Sequence, residues 1–172
     1  MKAGAFLKVN TQDIQLLYRY NHWANERILD AAANVSGEQF LAPASYPHGG
    51  LRGTLTHTLF AEWIWRNRWK GESPTQRIKP EEFPTLDSLR VRWLEEEKAL
   101  DAFIASLTDE KLNSSFQYKN TRGEPLENVL WHVMVHLVNH GTQHRSEAAA
   151  MLSELGHSPG DIDFIVFLRE LK

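Results

Sequence analysis

The stretch 131-WHVMVHLVNHGTQHRSEAAAMLSELG-156 decides how the chain is expected to fold. His132, His136, His140 and His144 recur in it at intervals of four, and they are half of the chain's eight histidines. On an α-helix, residues i and i+4 stand on nearly one face with Cβ atoms about 5–6 Å apart, so two imidazoles can share one metal ion. Each step of four also drifts about 40° around the axis, and His132 lies about 18 Å from His144 along it. All four cannot bind one ion. One adjacent pair can, which leaves three choices and requires a third ligand from another helix.

Working outward, the preceding segment 115-SFQYKNTRGE-124 alternates aromatic with polar residues and reads as a short extended or hairpin segment. Pro125 at a first turn is expected to open the long helix, with Gly156 and then Pro159 closing it. Beyond 157-HSPGD-161, the apolar positions Ile162, Phe164, Ile165, Phe167 and Leu168 predict a short final helix. Upstream, Thr11 is the expected cap of a helix over 12–34, with Leu17, Tyr20, Ala24, Ile28 and Ala31 at helical spacing. Ser36-Gly37, Pro43, Pro47 and Gly49-Gly50 then break the pattern. A second helix is expected over 51–70, with Leu55, Leu59, Phe60, Trp63 and Ile64 inward and Gly71 as its stop. Pro74, Pro80 and Pro84 make 71–85 a stiff loop, long enough at about 3.3 Å per residue to cross the length of a helix. Thr85 caps a third helix running to about Leu107, with the run 95-EEEK-98 on its solvated face.

Four long helices with almost no strand pattern predict an all-α fold, a four-helix bundle with a short C-terminal helix, as a single domain over 1–172. The formal charge of −3 offers no bulk attraction to nucleic acid or an anionic membrane. With no cysteine, any metal must be held by His, Asp or Glu. The N-terminal MKAGAFLKVN lacks the apolar region of a signal peptide, and no apolar run approaches the roughly 18–20 residues of a membrane span, so a soluble cytoplasmic protein is expected.

Among the other histidines, His57 sits within the core pattern of helix two, whereas His22 lies on helix one and His48 and His157 lie in loops. His57 is therefore the best third ligand. Antiparallel packing of helices two and four levels it with His140/His144 slightly better than with His136/His140. A crossover between helices two and three, giving up-down-down-up topology, would produce that packing. The pair lacks the Glu that follows the first His in zinc proteases, since Gly141 stands there, and the chain lacks the Glu-x-x-His pairs of di-iron bundles. Glu147, one turn past His144, can orient a ligand imidazole. The stretch 62-EWIWRNRWK-70 interleaves Trp and Arg as base-stacking surfaces do, but packing tryptophans with snorkelling arginines account for it better.

Three stretches make the chain resemble the DinB-like family of four-helix-bundle metalloproteins: 18-YRYNHWANERIL-29, 51-LRGTLTHTLFAEWIW-65, and 136-HLVNHGTQHRSEAAAMLSELGHSP-159 with 161-DIDFIVFL-168 behind it. That family has one His early in helix two and a His-x3-His pair, usually followed by Arg, in the last long helix. The resemblance implies His57, His140 and His144 as metal ligands, followed by Arg145, with His136 a neighbour, and it implies the up-down-down-up bundle. Members of the wider superfamily with known activities use a divalent metal, commonly zinc or nickel, to activate a low-molecular-weight thiol such as glutathione, mycothiol or bacillithiol. Three neutral imidazoles suit such chemistry, because they leave coordination positions open and the net charge near +2. A thiol-dependent transferase acting on a small molecule is the expected function. A metal-dependent hydrolase and a non-catalytic metal-binding stress-response bundle are the alternatives. The tryptophan-rich second helix suggests a homodimer.

Overall fold

Asn10, one residue before the expected cap, starts the first helix. Its side chain accepts from the Asp13 amide at 3.0 Å while Asp13 accepts from the Asn10 amide, a reciprocal box that leaves Thr11 as the first helical residue. The computed structural model describes residues 9–171, so the reading of the N-terminal stretch as lacking a leader falls mainly on residues outside the described ones.

Helix α1 spans Thr11–Ala32, and a single turn, α2, spans Gly37–Leu41. Helix α3 covers Leu51–Trp69 and is followed by Gly71 at φ 89°, a left-handed stop. The crossover over 70–85 holds one 3₁₀ turn, Pro80–Glu82. Helix α4, Leu86–Ala105, begins where the Thr85 hydroxyl accepts from the Ser88 amide. A turn α5, Asp109–Leu112, leads into the antiparallel hairpin β1 Ser115–Lys119 and β2 Pro125–Val129. Helices α6, Leu130–Glu154, and α7, Phe164–Glu170, complete the order. At the end of α6 the Gly156 amide donates to Ser153 O and the His157 amide to Leu152 O, the paired bonds of a glycine-closed helix.

Two further expectations need correction. Pro125 does not open the long helix. It is the first residue of β2, paired with Lys119, and α6 begins five residues later at Leu130. A fixed φ suits the start of a strand as well as a first helical turn, and the β1 partner decides between them. Nor is the run 95-EEEK-98 wholly solvated. Glu95 and Lys98 are exposed, but Glu96 is buried in an ion pair with Arg66, whose Nη2 donates to Oε2 at 2.9 Å.

Side-chain contacts set the helix directions. Tyr18 donates to Met134 O and Arg145 binds Asn21 and Asn25, so α1 and α6 run parallel. Asp30 pairs with Arg90 and His22 with Asp101, so α1 and α4 run antiparallel. Glu62 meets Trp93 and Arg66 meets Glu96, so α3 and α4 run parallel. His57 faces His140 while Trp65 faces His136, so α3 and α6 run antiparallel. The bundle is therefore up-down-down-up, with the crossover joining the two parallel helices α3 and α4. Among the described residues no helix is long and apolar enough to cross a membrane.

A buried polar layer divides the core into two apolar clusters. Glu62 Oε1 accepts from Asn21 and Asn25 at 2.7 and 2.9 Å, and Glu62 Oε2 accepts from Trp93 Nε1 at 2.7 Å. Arg145, 1% exposed, donates through Nη1 to Asn21 Oδ1 and Asn25 Oδ1 at 2.6 and 2.9 Å. One carboxylate and one guanidinium, bridged by two amides, thus tie all four long helices together.

Candidate metal centre

The polar layer holds α6 at a definite rotation. Arg145 points to the bundle axis, so its neighbour His144, about 100° further round, turns toward α3. Gly141 makes that possible, because a Cβ there would lie 2.7 Å from Arg145 Nη1 and 3.0 Å from Asn21 Oδ1. The absence of a side chain at the position where zinc proteases carry Glu thus has a packing cause.

On the α3-facing side, His140 and His144 meet His57. The Nε2 of His140 lies 3.2 Å from the Nε2 of His57 and 3.2 Å from that of His144. His144 is 4% exposed, and the other two are half-buried. The Nδ1–H of His144 donates to Glu147 Oε2 at 2.8 Å, which directs the lone pair of its Nε2 inward. Hydrogen bonding cannot then satisfy the cluster. A neutral His140 carries at most one hydrogen on Nε2, yet two ring nitrogens approach that atom, and its buried Nδ1 has no partner. A cation between these nitrogens would relieve the conflict. Two nitrogens each about 2.0–2.1 Å from a tetrahedral ion stand about 3.3 Å apart, close to the spacing observed.

The electrostatics favour the neutral, ligating form. Burial, reinforced by the neighbouring imidazoles, lowers the pKa of His57 to about 3 and that of His140 to about 4. Burial and the proximity of His144 likewise lower that of His48. Lone pairs at this site are therefore free of protons at neutral pH.

His48 is the residue that the sequence reading passed over as a loop histidine. Among the described residues, His48, His57 and His144 form a group with one ring nitrogen from each lying within 4.8 Å of the others, so three histidines are positioned to hold a metal ion. The chain folds back over the start of α3 because glycines leave room. A Cβ on Gly53 would meet His48 O at 1.9 Å, and Gly50, at φ 145°, would meet Ala42 O at 2.4 Å. The rings of His48 and His57 stack 3.7 Å apart at 13°, so an ion in the plane of one lies well out of the plane of the other. The planes of His57, His140 and His144 instead intersect at 46°, 66° and 80°.

The remaining histidines take other places. His136 is exposed, with its ring 5.9 Å from His140 and edge-on to Trp65 at 5.8 Å. His132 is exposed and packs edge-on against Trp131. His22 faces Asp101 on α4, and His157 lies in the loop after α6. In the tryptophan-rich stretch, Trp69 is buried against Tyr18 and Phe103, Trp65 packs on Tyr118, and Arg68 lies over both Trp65 and Tyr118.

Comparison with known proteins bears on the family and the fold. A family model described as the DinB family matches residues 7–170. The chain is 24% identical over 158 residues to the protein DinB of Bacillus subtilis (strain 168), a match covering 88% of this chain and 91% of that protein. It also resembles in fold the crystal structure of a DinB-like protein from Bacillus cereus ATCC 10987. There the TM-score is 0.58 at 15% identity, over 90% of this chain and 99% of that one.

Proposed function

We propose, from the premise that the chain belongs to the DinB family, that it is a metal-dependent enzyme in which His57, His140 and His144 hold one divalent ion. The observation that carries this reading is the approach of His57 Nε2 and His144 Nε2 to the one Nε2 of His140, each at 3.2 Å, which one hydrogen cannot reconcile. Intersecting ring planes favour this set over the one in which His48 replaces His140. Zinc or nickel is the ion that the family resemblance suggests; imidazole ligands alone accept several metals. Bound there, the ion would supply Lewis-acid activation of a low-molecular-weight thiol for transfer to a small electrophile.

The protein's own part is to hold and shield the site. Glu147 fixes the tautomer of His144, burial keeps His57 and His140 unprotonated, and the polar layer fixes the angle at which α6 presents its pair. The purified protein, metal-loaded, should consume electrophiles from a panel only when a thiol is present. Turnover of an ester and amide panel without thiol would transfer the reading to hydrolysis. No turnover in either panel would remove the enzymatic reading.

A second reading is favoured by His48. A fourth imidazole beside the triad could close the site and make it structural, as in a non-catalytic stress-response bundle. The d–d spectrum of the cobalt-substituted protein separates the two. A spectrum that changes when thiol is added supports the open, reactive site, whereas a tetrahedral spectrum that is indifferent to thiol and altered by His48→Ala supports the closed one.

A further inference from the structure

The geometry points to a ligand class: the centre serves a small molecule with a carboxylate-like anionic group, anchored by Arg77 in a cavity that opens beside His57. The inference deepens the metal reading and rests on it only for where the ligand's thiol end sits. The cavity is about 330 Å³, at the lower end of the range for small-molecule sites, and its wall includes His48, His57, Thr56, Phe60, Arg77 and Ile78. Helix α3 supplies one side and the crossover supplies Arg77 and Ile78, so the proline-stiffened loop that sets the topology also builds this wall. Two histidines of the metal-binding group and a guanidinium thus line one compartment.

Arg77 is exposed and makes no salt bridge or side-chain hydrogen bond among the described residues, unlike Arg66, Arg90 and Arg145. Its planar fork matches a carboxylate through two parallel hydrogen bonds. Thr56, on the same wall, is 1% exposed and its hydroxyl has no partner, so that oxygen meets a ligand only if the side chain turns toward the cavity. Phe60 and Ile78 add apolar surface to the same wall.

NMR titration of the isotope-labelled full chain, metal-free and zinc-loaded, with 3-mercaptopropionate and its uncharged amide tests this. The acid should bind about three- to tenfold more tightly than the amide in both forms, the size expected of one exposed charge-assisted pair. Arg77→Gln should equalise the two probes, and Arg77→Lys should restore part of the difference. Equal binding of acid and amide, an unchanged ratio in Arg77→Gln, or no shift of cavity resonances with either probe would overturn the inference. Zinc reports separately on the metal reading. A charge preference with no gain in thiol affinity on zinc loading keeps the anion anchor and removes the metal-bound thiol, and a zinc gain without charge preference does the reverse.

Discussion

Glu147 lies three residues after His144, and its carboxylate receives the Nδ1–H of that ring. Such partners fix ligand orientation and raise basicity, so Glu147→Gln should weaken metal affinity by about 10- to 100-fold, measured by chelator competition. Unchanged affinity would mean that the contact is incidental. The lowered pKa values of His57 and His140 also link stability to pH. Both rings resist protonation in the native state, to about 3 and about 4, while in the unfolded chain they titrate near the ordinary 6.5. The unfolded state therefore binds more protons in that window, and the stability of the metal-free protein should fall as pH drops from about 6.5 toward 4. Urea denaturation at pH 7 and pH 5 measures this, and a flat profile would contradict it. Glu97 shifts the opposite way. Burial first, then the charges of Glu62 and Asp101, raise its pKa to about 8. The native carboxyl holds its proton where the unfolded one has lost it, so its contribution is whole below pH about 4.5 and is lost as pH rises through about 8. Glu97→Gln should flatten the change in melting temperature between pH 6 and pH 9. At this scale the ladder and His57 could be picked out from periodicity, but His48 could not, because its position depends on a fold-back onto Gly53 that no local pattern announces.

At the scale of the element, α6 is oriented by what lies behind its histidines. Arg145 sits among Asn21, Asn25 and Thr142, and removing it leaves the buried Oδ1 atoms of both asparagines without their donor and the network they share with Glu62 without its guanidinium. Arg145→Ala should cost about 3–5 kcal/mol by urea denaturation, and a loss under about 1 kcal/mol would contradict the role of the polar layer. Gly141→Ala should destabilise too, since the added Cβ must displace Arg145 Nη1 or Asn21 Oδ1. The helices were readable where their ends carry local chemistry, as at Thr85 and Gly71. The misread ends are those with two local solutions. Asn10 and Thr11 are adjacent cap formers, and only the Asp13 partner selects Asn10. Pro125 suits a strand start as well as a helix start, and only pairing with Lys119, six residues earlier across the hairpin, selects the strand. Ser36 carries a capping box with Gln39 that nucleates the short α2, although the glycine after it reads as a break.

At the scale of the whole molecule, topology brings the ligand candidates level. The crossover reverses the usual alternation, so α3 descends against ascending α6 and His57 arrives opposite His140 and His144. Helix lengths and the long stiff loop gave that arrangement as a preference, and the family resemblance selected the pair. We propose the homodimer separately, although Trp65 and Trp69 are engaged within the fold. Val91 and Leu94, exposed on α4, are two of the large apolar side chains left open to a second copy, and a monomeric mass by light scattering at micromolar concentration would refute the dimer. The central claim is tested most directly by elemental analysis of the purified wild type beside His57→Ala, His140→Ala, His144→Ala and His48→Ala. About one divalent ion per chain should be retained in the wild type and in His48→Ala, and lost from each of the other three. Full retention in His140→Ala with loss in His48→Ala would contradict the assignment and give the third position to the loop.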